Sequence, residues 1–187
     1  MNEILNKLNS VAPIGEGSTY SWSPHEEDDK QKTLGFLRQY FTDGKFNTIL
    51  ETGTHKGHFC FFCKQVLPNV KIFTFGIDNF SINATEILNT EFGKYIWFTL
   101  GDSKHTLTTF QPDEKIDLAW IDGGHDYNTA YHDLLNCHRL RIPAILIDDC
   151  SLIRDVNSAV SDFLKLGYHI SGKFKSSRGI VELKLND

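Results

Sequence analysis

The 187-residue chain has no long apolar run; its longest aliphatic stretch is Ala144-Ile-Leu-Ile147. A helix crossing a bilayer needs about 20 apolar residues, so no membrane partner is expected. Basic charge is not in excess either. Lys and Arg number 19 against 24 Asp and Glu, a formal net charge of −5. General basicity therefore builds no nucleic-acid surface, and no nucleic-acid partner is expected. Cysteine is scarce: Cys60, Cys63, Cys137 and Cys150 do not make a disulfide scaffold in a chain of this size. Reduced thiols in a cytoplasmic protein are the simplest expectation. The first residues, Met-Asn-Glu-Ile, show no basic segment and no apolar one, so no signal peptide is read there. Acidic runs stop at four residues, Glu26-Glu27-Asp28-Asp29, and repeats and low-complexity segments are missing.

What is present is 40% hydrophobic residues in a pattern that alternates. Ile4, Leu5, Leu8 and Val11 fall on one helical face, which suits docking on the body or on a second subunit as a homodimer. Pro13 and Gly15-Glu-Gly-Ser end that helix, and Tyr20 and Trp22 follow in a polar linker. These two and His25 would serve either as a lid or as packing. Ser23-Pro24-His25-Glu26 has the form of a helix start, with Ser as cap, Pro in first position and Glu three residues after the cap. Leu34, Leu37, Tyr40 and Phe41 give that helix its apolar face, and Gly44 stops it. From residue 46 onward, strands are expected near 46–51, 70–77, 95–100, 116–121 and 143–148. Helices are expected near 57–67, 81–91, 104–110, 126–140 and 153–165. Such alternation argues for a parallel sheet with helices on both faces. Gly167-Tyr-His-Ile and Gly179-Ile-Val-Glu-Leu-Lys-Leu, joined by the polar loop Lys173–Arg178, should pair antiparallel, since no helix fits between them. Two regions follow, an N-terminal helical extension over 1–45 and an α/β body over 46–187.

The chemistry is concentrated where strands end. Asn47-Thr-Ile-Leu-Glu51-Thr-Gly53-Thr54-His-Lys-Gly57 turns a buried strand sharply into a helix and leaves backbone N–H groups facing a ligand. It lacks the third glycine of the nicotinamide fingerprint, and its leading acid would repel a pyrophosphate but tolerate a cationic or zwitterionic ligand. Asp78, at the tip of the second strand, is placed to take both hydroxyls of a ribose; its alternative is a helix cap, a job Asn79 or Ser81 could do instead. Asp102 in Gly101-Asp102-Ser103 would accept an adenine amino group or cap the next helix. The fourth strand ends in Ile121-Asp122-Gly-Gly-His125-Asp126-Tyr127 and the fifth in Ile147-Asp148-Asp149-Cys150. Three acids meeting there would repel one another unless a hard divalent cation, Mg²⁺ or Mn²⁺, sat between them. Without a metal, Asp148 or Asp149 would cap a helix and Asp122 would contact the cofactor alone. His125 is placed to remove a proton from a hydroxyl, or to anchor its own loop. Cys60-Phe-Phe-Cys63 has zinc spacing but no second pair, and reads as buried thiols on a helix face.

Together, Glu51-x-Gly53-x-x-x-Gly57, Asp78, Gly101-Asp102-Ser103, the Ile121–Tyr127 loop and the Ile147-Asp-Asp149 tip resemble class I S-adenosylmethionine-dependent methyltransferases. The similarity is to the small O-methyltransferase-like branch with an Ile-Asp-Gly-x-His-x-Tyr loop, and it covers about residues 46–185. It implies an α/β, Rossmann-like three-layer sandwich whose seven-stranded, mostly parallel sheet has order 3-2-1-4-5-7-6 and an antiparallel C-terminal hairpin. It implies that Glu51, Gly53, Thr54 and Gly57 form the methionine and ribose side of the cofactor site. Asp78 and Asn79 would hold the ribose, Asp102 and Ser103 would border the adenine, and Asp122 would also touch the cofactor. In metal-dependent relatives, acids matching Asp122, Asp148 and Asp149 bind Mg²⁺. Catechol enzymes place a lysine base where this chain has His125, and the family's usual Pro-Gly-Gly turn before strand five is replaced here by Leu140-Arg-Ile-Pro143. The implied activity is methyl transfer to a hydroxyl of a small sugar- or phenol-like acceptor. The rivals are a nicotinamide oxidoreductase, other metal-dependent chemistry on the same fold, and a binding protein that keeps the pocket without turnover.

Overall fold

The computed structural model of the chain describes residues 2–12, 28–174 and 179–186. Two helices, α1 (Asn2–Asn9) and α2 (Asp28–Asp43), precede the sheet. Strands and helices then alternate as β1 (Thr48–Thr52), α3 (His58–Val66), β2 (Lys71–Gly76), α4 (Phe80–Phe92), β3 (Ile96–Leu100), α5 (Ser103–Thr106), β4 (Leu118–Ile121), α6 (Tyr127–Arg139), β5 (Ala144–Ile147) and α7 (Arg154–Phe163). A hairpin of β6 (Tyr168–Phe174) and β7 (Ile180–Leu185) ends the described chain. The helix start at Ser23-Pro24-His25-Glu26, the pair Tyr20 and Trp22, and most of the polar β6–β7 loop lie outside the described residues.

All seven strands form one sheet, in the order β3-β2-β1-β4-β5-β7-β6. β1 to β5 run parallel, and β7 lies antiparallel between β5 and β6. The expected fold is the one found. Its two-faced core follows from the period of two in each strand. Ile49, Leu118, Trp120 and Leu146 point into one hydrophobic cluster, while their neighbours Leu50, Ala119, Ile121, Ile145 and Ile147 point into the other. Helices α1 to α4 cover the first face. Phe59 of α3 stacks on Trp120 with ring centroids 4.6 Å apart. Burying one such side chain contributes about 1.5–3 kcal/mol. Ile4, Leu5 and Leu8 of α1 and Leu37 and Phe41 of α2 are buried in this same cluster. Helices α6 and α7 cover the second face.

The helix expected over 104–110 is one turn of α-helix continued by a 3₁₀ turn, Leu107–Thr109. There the Thr106 and Thr108 hydroxyls donate to the carbonyls of Asp102 and His105. Buried Lys64 is satisfied locally, its ammonium donating to the carbonyls of Pro68 and Val70 and lying 4.4 Å from the Tyr95 ring centre. The four cysteines are free and buried. Among the described residues no helix is long and apolar enough to cross a membrane.

Candidate active site

Sheet order reverses between β1 and β4, and open α/β sheets bind ligands in the crevice beyond that point. A cavity of about 510 Å³ lies there, lined from the tips of all five parallel strands. Of the residues singled out in the sequence, Glu51, Gly53, Thr54, Asp78, Asp102, Ser103, Asp122, His125 and Asp148 line it; Gly57, Asn79 and Asp149 do not.

On the β1–β3 side, Glu51 is only 1% exposed. Its Oε2 accepts the Cys60 thiol at 2.9 Å and the Thr74 hydroxyl at 2.5 Å. The Thr74 and Thr54 hydroxyls are in turn 2.6 Å apart, so a buried chain of polar groups runs from the turn to the acid. Burial pushes the Glu51 carboxyl up to about 7; Cys60 and Thr74 oppose the rise and the charge of Asp122 adds to it. Gly53 has φ of +96°, and a Cβ there would lie 2.0 Å from the Asp122 carbonyl oxygen. Its missing side chain therefore lets the loop after β1 meet the loop after β4, backbone to backbone. Gly57 caps α3 in the left-handed region, and a Cβ there would fall 2.9 Å from Leu88 of α4. That glycine lets α3 pack on α4 and does not line the cavity.

At the tip of β2, Asp78 is partly buried and does not cap α4, whose cap residue is Asn79. Asp102 does cap: its Oδ1 accepts the Lys104 N–H at 2.9 Å, and its Oδ2 pairs with the Lys104 ammonium at 3.0 Å. Burial works against this carboxyl's ionisation, yet the Lys104 contacts win and hold it below the usual carboxylate range. Lys104 also donates to Thr129 at 2.8 Å, and Asp126 caps α6 through Thr129.

On the β4–β5 side, charge faces charge. His125 Nε2 lies 3.1 Å from Asp149 Oδ2 and 3.8 Å from Asp122 Oδ1. The carboxylates of Asp122 and Asp149 push this imidazole up to about 10, so in this arrangement it carries its proton at neutral pH. Asp122 is raised by burial and by Asp149, with His125 drawing it down. Donor atoms of Asp122, His125 and Asp149 all lie within 4.8 Å of one another, a group able to hold a metal ion. Asp148 stands outside this group. Its carboxylate accepts the Asp149 N–H at 2.9 Å, and burial together with the charges of Asp122 and Asp149 raises it well above its ordinary value. Asp149 has φ of +58°, a left-handed turn directly after β5. The Cys150 N–H then bonds to the Gly179 carbonyl at 3.1 Å, pinning this loop to the start of β7.

Several residues of the site had no signal in the sequence. Cys60 and Thr74, which support Glu51, come from the middle of α3 and β2. Asp133 of α6 is fully buried beneath Gly123 and beside Thr52, its carboxyl pushed up to about 6 by burial. Lys56, inside the β1–α3 turn, lines the cavity. No described group that could hold a metal includes Cys60 or Cys63.

A family model described as "Methyltransferase domain" matches residues 50–150. None of the curated proteins matches the chain. Solved structures of the same fold cover all of it. The S-adenosylhomocysteine-bound methyltransferase PaMTH1 from Podospora anserina superimposes with a TM-score of 0.73 at 12% identity over 89% of its own length. The O-methyltransferase TomG from Streptomyces achromogenes, involved in tomaymycin synthesis and solved with S-adenosylmethionine, gives 0.70 at 15% over 91%. An O-methyltransferase from Bacillus cereus, solved with S-adenosylhomocysteine, gives 0.68 at 15% over 92%.

Proposed function

The chain belongs to the methyltransferase-domain family, and we propose that it transfers the methyl group of S-adenosylmethionine to a hydroxyl of a small sugar- or phenol-like molecule. The observation that carries this reading is the division of one cavity into two unlike halves. The β1–β3 half offers the buried acid Glu51 beside the Gly53 turn and, at the tip of β2, Asp78, which is not committed to a helix cap. These suit a ligand with a cationic end and a ribose. The β4–β5 half offers proton-handling groups, Asp122, His125 and Asp148.

S-adenosylmethionine supplies an electrophilic methyl group on a sulfonium centre. What the chain must add is alignment of the acceptor oxygen and removal of its proton. In this proposal Glu51, Gly53, Thr54 and Asp78 bind the donor, with Ser103 at the adenine end. Asp102 borders the adenine while it caps α5. His125, which Asp122 and Asp149 hold protonated in this arrangement, would take the acceptor's proton once those acids are offset and its own proton is released.

A divalent cation is a second reading, favoured by the three donor atoms within 4.8 Å of one another. Carboxylate and imidazole suit Mn²⁺ or Mg²⁺, and the donors present fit such an ion. Asp122 and Asp149, with Asp148 or His125 completing the set, would hold it; it would supply positive charge that offsets the acids and polarises an acceptor hydroxyl. Once those acids are offset, His125 would no longer be held protonated by them.

Isothermal calorimetry tests the donor. S-adenosylhomocysteine should bind at micromolar concentration and NAD should not. Binding of NAD without binding of S-adenosylhomocysteine would sink the proposal.

A further inference from the structure

Six acids line the cavity, Glu51, Asp78, Asp102, Asp122, Asp126 and Asp148. Such a lining offers an anionic part of a ligand little to bind. Two lysines also line it, and they differ. Lys104 is engaged by Asp102 at 3.0 Å and by Thr129 at 2.8 Å. Lys56 is only 8% exposed, yet among the described residues nothing forms a hydrogen bond or ion pair with its ammonium. Lysine is rarely buried so far without a partner, and as a lining residue this one opens on the cavity.

Its place in the chain supplies the second observation. Lys56 stands directly before Gly57, the cap residue of the nine-residue helix α3, and that helix starts with no side-chain cap. The first N–H groups of a helix lack partners inside it, and its amino end favours negative charge. The histidines nearby are otherwise engaged: His55 meets the Phe80 ring edge to face at 5.3 Å, His58 meets the Asn9 side chain of α1 at 3.0 Å, and His125 meets Asp149.

We propose that Lys56, together with the uncapped amino end of α3, is the anion anchor of this cavity and holds the carboxylate of the methyl donor's amino-acid tail. This rests on the methyl-donor reading and adds a residue to it. The donor's tail is a zwitterion. Glu51 and Lys56, at the two ends of one turn, offer it an acid and a cation. The glycines of that turn serve loop contact and helix packing. Its lysine is the group left with charge to give.

The test uses calorimetry on the wild-type chain, Lys56→Met and Lys56→Arg. The probes are S-adenosylhomocysteine and 5′-methylthioadenosine, which keeps the nucleoside and sulfur but lacks the amino-acid tail. Loss of a charged hydrogen bond predicts that Lys56→Met weakens S-adenosylhomocysteine by about 10- to 100-fold. Lys56→Arg should retain most of the affinity, and 5′-methylthioadenosine should bind all three chains alike. Thermal melting of each variant shows whether it is folded. Unchanged S-adenosylhomocysteine binding by a folded Lys56→Met overturns the anchor, and so does an equal loss for both probes. A wild-type chain that binds neither probe overturns the methyl-donor reading itself, and the anchor with it.

Discussion

The two halves of the cavity are held in place by different physics. On the β1–β3 side the shape is set by backbone and by short hydrogen bonds. Gly53 lets two loops touch, and Glu51 is fixed by Cys60 and Thr74. On the β4–β5 side the shape is set by charge: a histidine sits between two carboxylates, and a third stands beside them. A backbone-built half is rigid and indifferent to salt. A charge-built half can rearrange when a proton or a cation arrives. The contrast suits a reaction in which the donor is always the same and the acceptor must be activated.

Four experiments test this contrast. The largest effect is expected from Gly53→Val. Its Cβ would meet the Asp122 carbonyl at 2.0 Å in a conformation with φ of +96°. The strain and the clash together should cost on the order of 3 kcal/mol in urea unfolding. A folded, fully stable variant would show that the loops are not locked together here.

Next comes Asp149→Asn. If the charged half holds a cation, Mn²⁺ affinity followed by electron paramagnetic resonance should fall by at least roughly 100-fold, beyond the usual cost of an outer-sphere partner. S-adenosylhomocysteine binding should change little, and a comparable loss there would erase the division into halves. A wild-type chain that takes up no Mn²⁺ removes the cation reading.

Glu51 should give a pH signature. The folded chain keeps its proton to about pH 7, whereas an ordinary carboxyl releases it near 4.5. The folded state therefore binds the extra proton between these values, and this group makes stability fall as pH rises through that window. The amount is on the order of 3 kcal/mol, and Glu51→Gln should flatten that part of the stability curve. An unchanged slope would mean that the acid is not desolvated as described.

The smallest effect belongs to Lys104→Met. Its pair with Asp102 is partly exposed, so the melting temperature should fall only slightly. A larger loss would place a charge-built element inside the half assigned to backbone.

Much of this was legible in the residues, and the limits have physical causes. Strands and helices were readable because Ile49, Leu50, Leu118 and Trp120 keep the periods of their elements. The order of strands was not readable from periodicity, which says nothing about neighbours; it came from the family resemblance. Asp102 was open between cap and ligand, and the cap depends on where the Lys104 N–H points. The pair Asp148-Asp149 shows the limit most clearly. Spacing cannot say which of two adjacent acids turns toward His125, because the left-handed φ at Asp149 decides it. Cys60 and Thr74 were invisible as supports for Glu51, since only the register of β1 with β2 and the docking of α3 bring them together.

The strand that completes the sheet is the last described in chain order, yet it sits inside, between β5 and β6. As the chain leaves a ribosome, β1 to β4 can find their parallel neighbours early. β5 keeps one open edge until β7 arrives, and the hydrogen bond from Cys150 to Gly179 cannot form before then. The half of the cavity that would hold the donor can thus be finished while the half that would activate the acceptor is still unmade. A nascent chain stalled before β7 would be expected to display a nucleoside pocket, an exposed strand edge that invites aggregation, and no assembled carboxylate cluster.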